Sequence, residues 1–323
     1  MKFTILHLLF YKKQRFVRKT VFCFLFSILG MLSCLAKKNP NVCDRIQDNL
    51  LGNVKNVQTI EYSVNIQNKN VQKGDVVTRS IKHYNQAGYV TEYTEFDADN
   101  SLIQKEISLF DPKGYKIEEL MYNENNELEQ RTKTKYNGQK LPVSVVFEDN
   151  KGKKLQRYVY RYDERGNLTQ LTGYDDRGKT SEKSYYTYDQ RENLTQYLGF
   201  GQFDNRKIYY KYDVQNNISE QLTTDIKGNF IEKVIFAYEN EGKTEKRTFV
   251  DANNRVLSTV VYVYDDYSNL LKFTHFDKDG SITEHHEFTY QYDKNNNWIM
   301  QTFYSGIEKT VLSITERRVG YYE

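Results

Sequence analysis

Apolar and polar residues alternate with a period of two along most of this chain. Tyr158, Tyr160 and Tyr162 alternate with Val159 and Arg161. The same pattern recurs in later segments, around Val234–Tyr238, Val260–Tyr264 and Phe288–Tyr292. Period-two alternation predicts β-strands that carry their aromatic side chains on one face of a sheet.

The strand patterns are separated by a repeated turn element of the form Tyr/Phe-Asp/Asn-x-x-Gly/Asn. Tyr136, Tyr162 and Tyr188 open three copies and are each 26 residues apart, with a further turn element between each pair. This unit of about 26 residues occurs roughly eight times between Tyr84 and Tyr304. Self-similarity at a fixed period predicts an array of one supersecondary unit.

The turn residues predict tight hairpins. In Asp163–Asn167 the Asp begins the turn by accepting a backbone hydrogen bond from two residues ahead, and Gly166 takes the positive-φ position. Other copies place Asn at that position (Asn100, Asn126, Asn216, Asn254, Asn296), and the predicted glycine turns are centred near Gly88, Gly114, Gly166, Gly178, Gly228, Gly242 and Gly280. Links this short make neighbouring strands antiparallel.

The predicted fold is therefore all-β: an antiparallel β-hairpin repeat array of about 20 strands. The count includes leading hairpin strands at Val57–Ile66 and Val76–Tyr84, and a closing strand near Thr310–Tyr322. A sheet of this size does not stay flat. We expect one long curled or partly closed sheet with the aromatic rows on its inner face, and assign residues 57–323 to this repeat domain.

The first 33 residues have the pattern of a secretory signal. A basic segment, Lys12–Lys19, precedes a 13-residue apolar run, Val21–Ser33. That run is short for a membrane span, which needs about 20 residues. We interpret residues 1–33 as a signal peptide; the alternatives are an uncleaved signal anchor or a buried helix of a cytosolic protein.

Met31–Cys34 is similar to the lipobox of bacterial lipoproteins, in which a small residue precedes the acylated Cys. Ser33 and Cys34 match that pattern. We predict lipidation at Cys34, residues 34–56 as a lipid-attached tether with one helical turn around Asp44–Leu51, and a location in the cell envelope at a bacterial outer membrane. The competing interpretation is ordinary cleavage near Ala36.

Charge argues against nucleic acid as a partner. The formal net charge of +3 arises from six Lys and Arg residues before Cys34, and without them 40 basic residues face 43 acidic ones. The remaining basic residues are interleaved with acids, so there is no basic stripe for a phosphate backbone. The membrane contact that we predict is through the N-terminal lipid only.

Three segments resemble YD repeats of the bacterial RHS-repeat family: Tyr160–Thr169, Tyr186–Leu194 and Tyr290–Ile299. The resemblance covers about residues 84–304. In large members such repeats wind into a hollow β-shell around a toxin or form a cell-surface ectodomain. Eight units are too few for us to expect encapsulation of a polypeptide, and the chain is more similar to small exported YD-repeat proteins, often lipoproteins.

We find no pattern of catalytic or metal-binding residues in the sequence. Asp277–Ser281 lacks the Gly and Glu that an EF-hand loop requires and recurs elsewhere as a hairpin turn. His285 and His286 are adjacent in a strand and point to opposite faces, so a metal site with His275 would need further ligands. We predict no enzyme activity, no metal and no cofactor.

The aromatic rows are the strongest functional signal. Aromatic faces stack on sugar rings or hold an extended peptide, but they also pack across strands in any repeat sheet. We select Tyr160, Tyr262 and Tyr290 as candidate ligand-binding residues. The expected function is non-enzymatic binding of a glycan or protein ligand through aromatic-rich sheet and turn surfaces; the alternative is an immunity-type protein that neutralises a secreted toxin.

Overall fold

The computed structural model describes residues 43–67, 70–201 and 204–323, and within them it contains one short α-helix and twenty β-strands. Cys34 and the predicted signal peptide lie outside the described residues. The helix is α1 (Asp44–Gln47), in the segment where the sequence predicts a helical turn. The first ten strands are β1 (Val54–Gln67), β2 (Asn70–Tyr84), β3 (Val90–Phe96), β4 (Leu102–Phe110), β5 (Lys116–Tyr122), β6 (Leu128–Tyr136), β7 (Pro142–Asp149), β8 (Lys154–Tyr162), β9 (Leu168–Tyr174) and β10 (Thr180–Tyr188). The others are β11 (Leu194–Gly201), β12 (Arg206–Tyr212), β13 (Ile218–Asp225), β14 (Phe230–Glu239), β15 (Thr244–Val250), β16 (Val256–Tyr264), β17 (Leu270–Asp277), β18 (Ile282–Tyr292), β19 (Trp298–Ser305) and β20 (Thr310–Tyr321).

Each strand pairs antiparallel with the next in one 20-stranded sheet. The prediction of an all-β antiparallel hairpin array of about 20 strands is confirmed. The first strand, β1, starts at Val54.

The expectation of a curled or partly closed sheet is wrong, because the sheet closes completely. β1 pairs with β20 from Val54↔Tyr321 to Tyr62↔Ile314, so the chain forms a closed 20-stranded barrel. Closure removes the two free edges that an open array would expose. The backbone N–H and C=O groups along the paired edges of β1 and β20 hydrogen-bond to each other.

The hairpin turns repeat one hydrogen-bonding scheme. In the β8–β9 turn the Gly166 amide donates to the Asp163 carbonyl at 3.1 Å, and the Asp163 carboxylate accepts from the Asn167 amide at 2.8 Å. The predicted positive φ is confirmed at all five Asn positions and all seven Gly positions named above. Asp277 forms the same turn, accepting from the amides of Asp279 and Ser281 at 2.9 Å, which confirms the hairpin interpretation of that segment.

The register assigns each side chain to one of two faces. Side chains of register partners lie on the same face of the sheet. Followed from strand to strand, the face that carries Tyr158, Tyr160 and Tyr162 is the one that α1 packs against, and we call it the inner wall. The most tightly packed part of the inner wall lies on β7–β10, where Val145, Phe147, Tyr158, Leu168, Leu171 and Tyr186 are buried together with Tyr160. The opposite face, the outer wall, carries ion pairs such as Lys133–Glu148 at 2.8 Å.

No helix among residues 43–67, 70–201 and 204–323 has the length and apolar character needed to cross a bilayer.

Candidate functional site

The structure places all three selected tyrosines on the inner wall, but in different environments. Tyr160 is only 7% exposed and packs inside the β7–β10 cluster, so its ring face is not available to a ligand. Tyr262 and Tyr290 are half-buried. The Tyr290 hydroxyl donates to the Leu270 carbonyl and accepts from the Gln301 amide, both at 2.9 Å, and burial raises its pKa to about 12.

Several inner-wall tyrosines have a structural role that the repeat explains. The last Tyr of β6, β8, β10 and β12 donates its hydroxyl hydrogen to a backbone carbonyl of the preceding unit, at 2.7 to 2.9 Å: Tyr136 to Lys116, Tyr162 to Pro142, Tyr188 to Leu168 and Tyr212 to Leu194. These bonds tie each unit to the one before it. The turn-proximal tyrosines of these strands therefore hold the barrel together.

The inner wall is lined with aromatic rings that keep part of their surface accessible. On β16–β19 the rings of Tyr262, Phe273, Phe288 and Phe303 are all half-buried. Phe288 stacks on Phe303 with centroids 4.9 Å apart, and Tyr262 packs against Phe273 at 5.5 Å. A solidly filled interior would bury large inward-facing rings almost completely. This part of the wall therefore faces accessible space.

Residues 43–53, which we call the cap segment, cross one end of the barrel. The Arg45 amide donates to the Gly88 carbonyl at 2.9 Å in the β2–β3 turn. On the other side of the same end, the Leu51 amide and carbonyl bond the side-chain amide of Asn297 at 2.7 and 2.8 Å. Cys43 is buried against Gly88, where a Cβ would come within 2.6 Å of the Cys43 sulfur. The cap segment is thus packed onto the turns at this end.

A cavity of about 640 Å³ lies between α1 and the inner wall of β20 and β1–β5. Its walls are strongly polar, with seven charged side chains: Asp44, Asp48, Lys82, Glu106, Lys116, Glu119 and Arg317. Cavities of this volume are in the range of small-molecule sites. We call it the cap cavity.

Two of the cavity's ion pairs are complete. Lys82 contacts both oxygens of Asp48 at 2.8 Å, and the Tyr84 hydroxyl donates to Asp48 at 2.6 Å. Lys116 contacts Glu119 at 2.7 Å. These contacts fix the rotamers of four wall residues and balance their charges.

Within the described part of the chain, no cation forms an ion pair with Glu106. Burial, together with the nearby Glu119 carboxylate, raises the pKa of the Glu106 carboxyl to about 7, and Lys116 and Lys82 act in the opposite direction. Glu106 therefore changes its charge near neutral pH. The burial of Asp44 likewise raises the pKa of that carboxyl, although the Val90 amide donates to it at 2.6 Å.

Sequence reasoning missed the cap cavity. Glu106 occupies the repeat position that Thr132, Tyr158 and Ser184 occupy in the three following units, so residue type at this position varies and gave no signal. The two histidines of β18 do point to opposite faces as predicted: His285 contacts Glu287 at 3.2 Å and His286 contacts Glu284 at 2.8 Å.

No protein-family model matches the chain, and no curated protein matches it. Solved structures do match at low identity. A Photorhabdus luminescens Tc holotoxin pore structure is 14% identical with a TM-score of 0.37, over 75% of this chain and 14% of that chain. A porin-like protein from Bacteroides uniformis is 11% identical with a TM-score of 0.37, over 83% and 96% of the two chains. A TcdB2-TccC3 structure is 12% identical with a TM-score of 0.34, over 82% of this chain and 17% of that chain.

Proposed function

We propose that this protein is a non-enzymatic, YD-repeat-type binding protein of the bacterial cell envelope that takes a glycan into its barrel. The observation that carries the proposal is the row of half-buried aromatic rings on the inner wall of β16–β19, which includes Tyr262, Phe288 and Phe303. Rings held on a concave wall with one face accessible are suited to stacking on sugar rings.

The rigidity of the wall supports this role. The Tyr290 hydroxyl donates to the Leu270 carbonyl and accepts from the Gln301 side-chain amide, so these polar groups are held in place before a ligand arrives. Preorganised side chains lose less entropy on binding.

The lipid anchor is a separate part of the proposal. The basic segment, the apolar run and Ser33-Cys34 support export and acylation at Cys34. The outer wall carries charged residues that disfavour insertion of the strands into a membrane, and this favours attachment by the lipid alone. Glu220, for example, forms ion pairs there with Lys211 at 2.9 Å and Lys233 at 3.1 Å. Charged side chains facing lipid cost several kcal/mol near the bilayer midplane, about 2–4 for Lys or Arg.

With Cys34→Ala, acyl labelling should disappear and the chain should leave the membrane fraction; membrane retention with the leader attached would contradict the anchor.

The binding proposal is tested on a glycan array with a double variant, Tyr262→Ala with Phe288→Ala. Both rings lie on the inner wall, so we expect the array signal of the wild-type chain to fall at least tenfold. The matched control is Tyr185→Ala, because Tyr185 is 37% exposed on the outer wall and its loss should leave the signal unchanged. Circular dichroism and unfolding curves establish that each variant is folded.

Two results would contradict glycan binding in the barrel. One is an array signal that survives the double variant but falls with Tyr185→Ala. The other is an array without hits together with capture of one co-encoded protein, which would favour the immunity-type function.

A further inference from the structure

Arg317 is a half-buried arginine whose Nε is buried without an acceptor. It lies on the inner wall of β20, where its register partner is Thr59, and its guanidinium carbon is 3.5 Å from the centroid of the Trp298 ring. Among the residues that the structure describes, no side chain forms an ion pair with it and no acceptor bonds its buried Nε. A buried polar group without a partner requires a physical explanation.

The other stacked inner-wall arginine shows what is missing. Arg247 lies 4.8 Å over the ring of Tyr262 and is paired with Glu245 at 2.6 Å, and the Glu245 carboxylate keeps the pKa of Arg247 raised despite burial. Arg317 has the ring but no carboxylate within ion-pair distance among the described residues, and burial lowers its pKa to about 10 although the Asp48 carboxylate acts in the opposite direction. On the same wall, Arg247 thus forms an ion pair with a carboxylate, whereas Arg317 forms none with the described residues.

The acids of the cap cavity do not supply that carboxylate. Asp48 is bound by Lys82 and Tyr84, and Glu119 is bound by Lys116. Because these acids stand around the cavity, a dianion such as phosphate would be repelled more strongly than a monoanion. The charge pattern therefore favours a single carboxylate, which guanidinium binds in a planar, bidentate geometry.

The remaining lining of the cavity indicates the rest of the ligand. Thr59, Ser80, Ser108 and Tyr93 contribute hydroxyl groups to the same walls. Hydroxyls and carboxylates together are suited to hydrogen bonds with a polyhydroxylated molecule. The volume of about 640 Å³ is large enough for one or two sugar rings.

We propose that the cap cavity binds an acidic sugar, with the sugar carboxylate on the guanidinium of Arg317 and its hydroxyls on the polar walls. This inference rests on the proposed glycan-binding function and names the charged class of glycan. The Trp298 ring packs against the guanidinium of Arg317, which lines the cavity.

The test is calorimetric titration of the full chain with D-glucuronate, with D-glucose as the matched neutral sugar and inorganic phosphate as the dianion. We expect D-glucuronate to bind at least tenfold more tightly than either comparison ligand. Arg317→Gln should remove at least tenfold of that affinity, and Arg317→Lys should give an intermediate loss because a lysine lacks the planar fork. The control is Arg318→Gln, since Arg318 is exposed on the outer wall and its variant should bind as the wild-type chain does.

Equal affinity for D-glucuronate and D-glucose would overturn the proposal, as would unchanged D-glucuronate binding in both Arg317 variants. The failure is distinguishable from failure of glycan binding as such. If the array signal falls with Tyr262→Ala and Phe288→Ala while Arg317→Gln binds normally, the aromatic wall binds glycan and the carboxylate site is wrong. If Arg317→Gln alone loses D-glucuronate and the aromatic variant has no effect, the carboxylate site stands and the aromatic wall does not.

Discussion

Replacing Glu106 by Gln should stabilise the protein at alkaline pH and leave its stability unchanged in acid. Glu106 lies in the cap cavity, where burial and the Glu119 carboxylate raise its pKa from 4.5 to about 7. The folded protein therefore keeps a proton that the unfolded chain releases above pH 4.5. Stability contributed by this group falls as pH rises from 4.5 to about 7, and above that the loss is complete.

The magnitude follows from the size of the shift. One pKa unit corresponds to 1.36 kcal/mol, so the shift amounts to about 3 kcal/mol, and water in the cavity reduces this to about 2–3 kcal/mol. A glutamine has the shape of the protonated acid and carries no charge at any pH. We therefore expect Glu106→Gln to raise the free energy of unfolding by about 2–3 kcal/mol at pH 8.

Urea unfolding followed by circular dichroism at pH 4.5 and pH 8 measures this difference. The control is Glu129→Gln, which removes an exposed carboxylate from strand β6 and should change stability equally little at both pH values. The reasoning is refuted if Glu106→Gln has the same effect at both pH values, or if it destabilises the protein at pH 8.

Two further substitutions test the repeat itself, each by urea unfolding. Gly166→Val should cost about 1 kcal/mol or more, because Gly166 has a φ of +85°, whereas Gly138→Val meets no positive φ and no atom within 4 Å and should cost less; equal losses would contradict the turn argument. Tyr188→Phe should cost about 1 kcal/mol because the Leu168 carbonyl loses its donor, while Tyr185→Phe on the outer wall should stay within about 0.5 kcal/mol; an unaffected Tyr188→Phe would show that the tyrosine bonds do not join the units.

The hairpins were predictable because their determinants are local. At Asn100 and Asn126 the sequence predicts a left-handed residue from its position three residues after an Asp or Asn, and both have a positive φ in the structure. The alternation of Tyr158, Tyr160 and Tyr162 likewise assigns them to one face, since successive side chains of a strand always alternate. Interactions between residues a few positions apart determine these features.

Closure was not predictable from the repeat pattern. Every hairpin has much the same local sequence, and the pairing of neighbours is the same in an open sheet and in a ring. What closes the barrel is the pairing of Val54–Tyr62 with Ile314–Tyr321, strands at opposite ends of the chain. The small rotation of each strand relative to its neighbour sums over twenty strands, and no single unit reveals that sum.

The candidate site was predictable only in part. Sequence identified the aromatic rows, but whether a ring is accessible depends on curvature and neighbours: Tyr160 is buried and Tyr262 is not. The cap cavity combines α1, β20 and β1–β5, which are far apart in sequence. Arg317 was missed because its lack of an ion-pair partner depends on which strands surround it in the barrel, and the sequence of its own strand does not reveal that.

The distance between the two ends of the sheet tests the closed barrel most directly. Spin labels at Gln58 and Arg318, in a chain whose native cysteines are replaced by alanine, occupy register partners on β1 and β20. Pulsed electron–electron double resonance should give a single distance between the two labels, below about 20 Å. Paired Cα atoms of antiparallel strands are about 5 Å apart, and the label side chains add to that distance. In an open array of twenty strands spaced about 4.8 Å apart the same labels would be separated by several tens of ångströms, up to about 90 Å. A long or broad distance distribution in folded protein would contradict closure, and with it the enclosed inner wall on which both proposed sites depend.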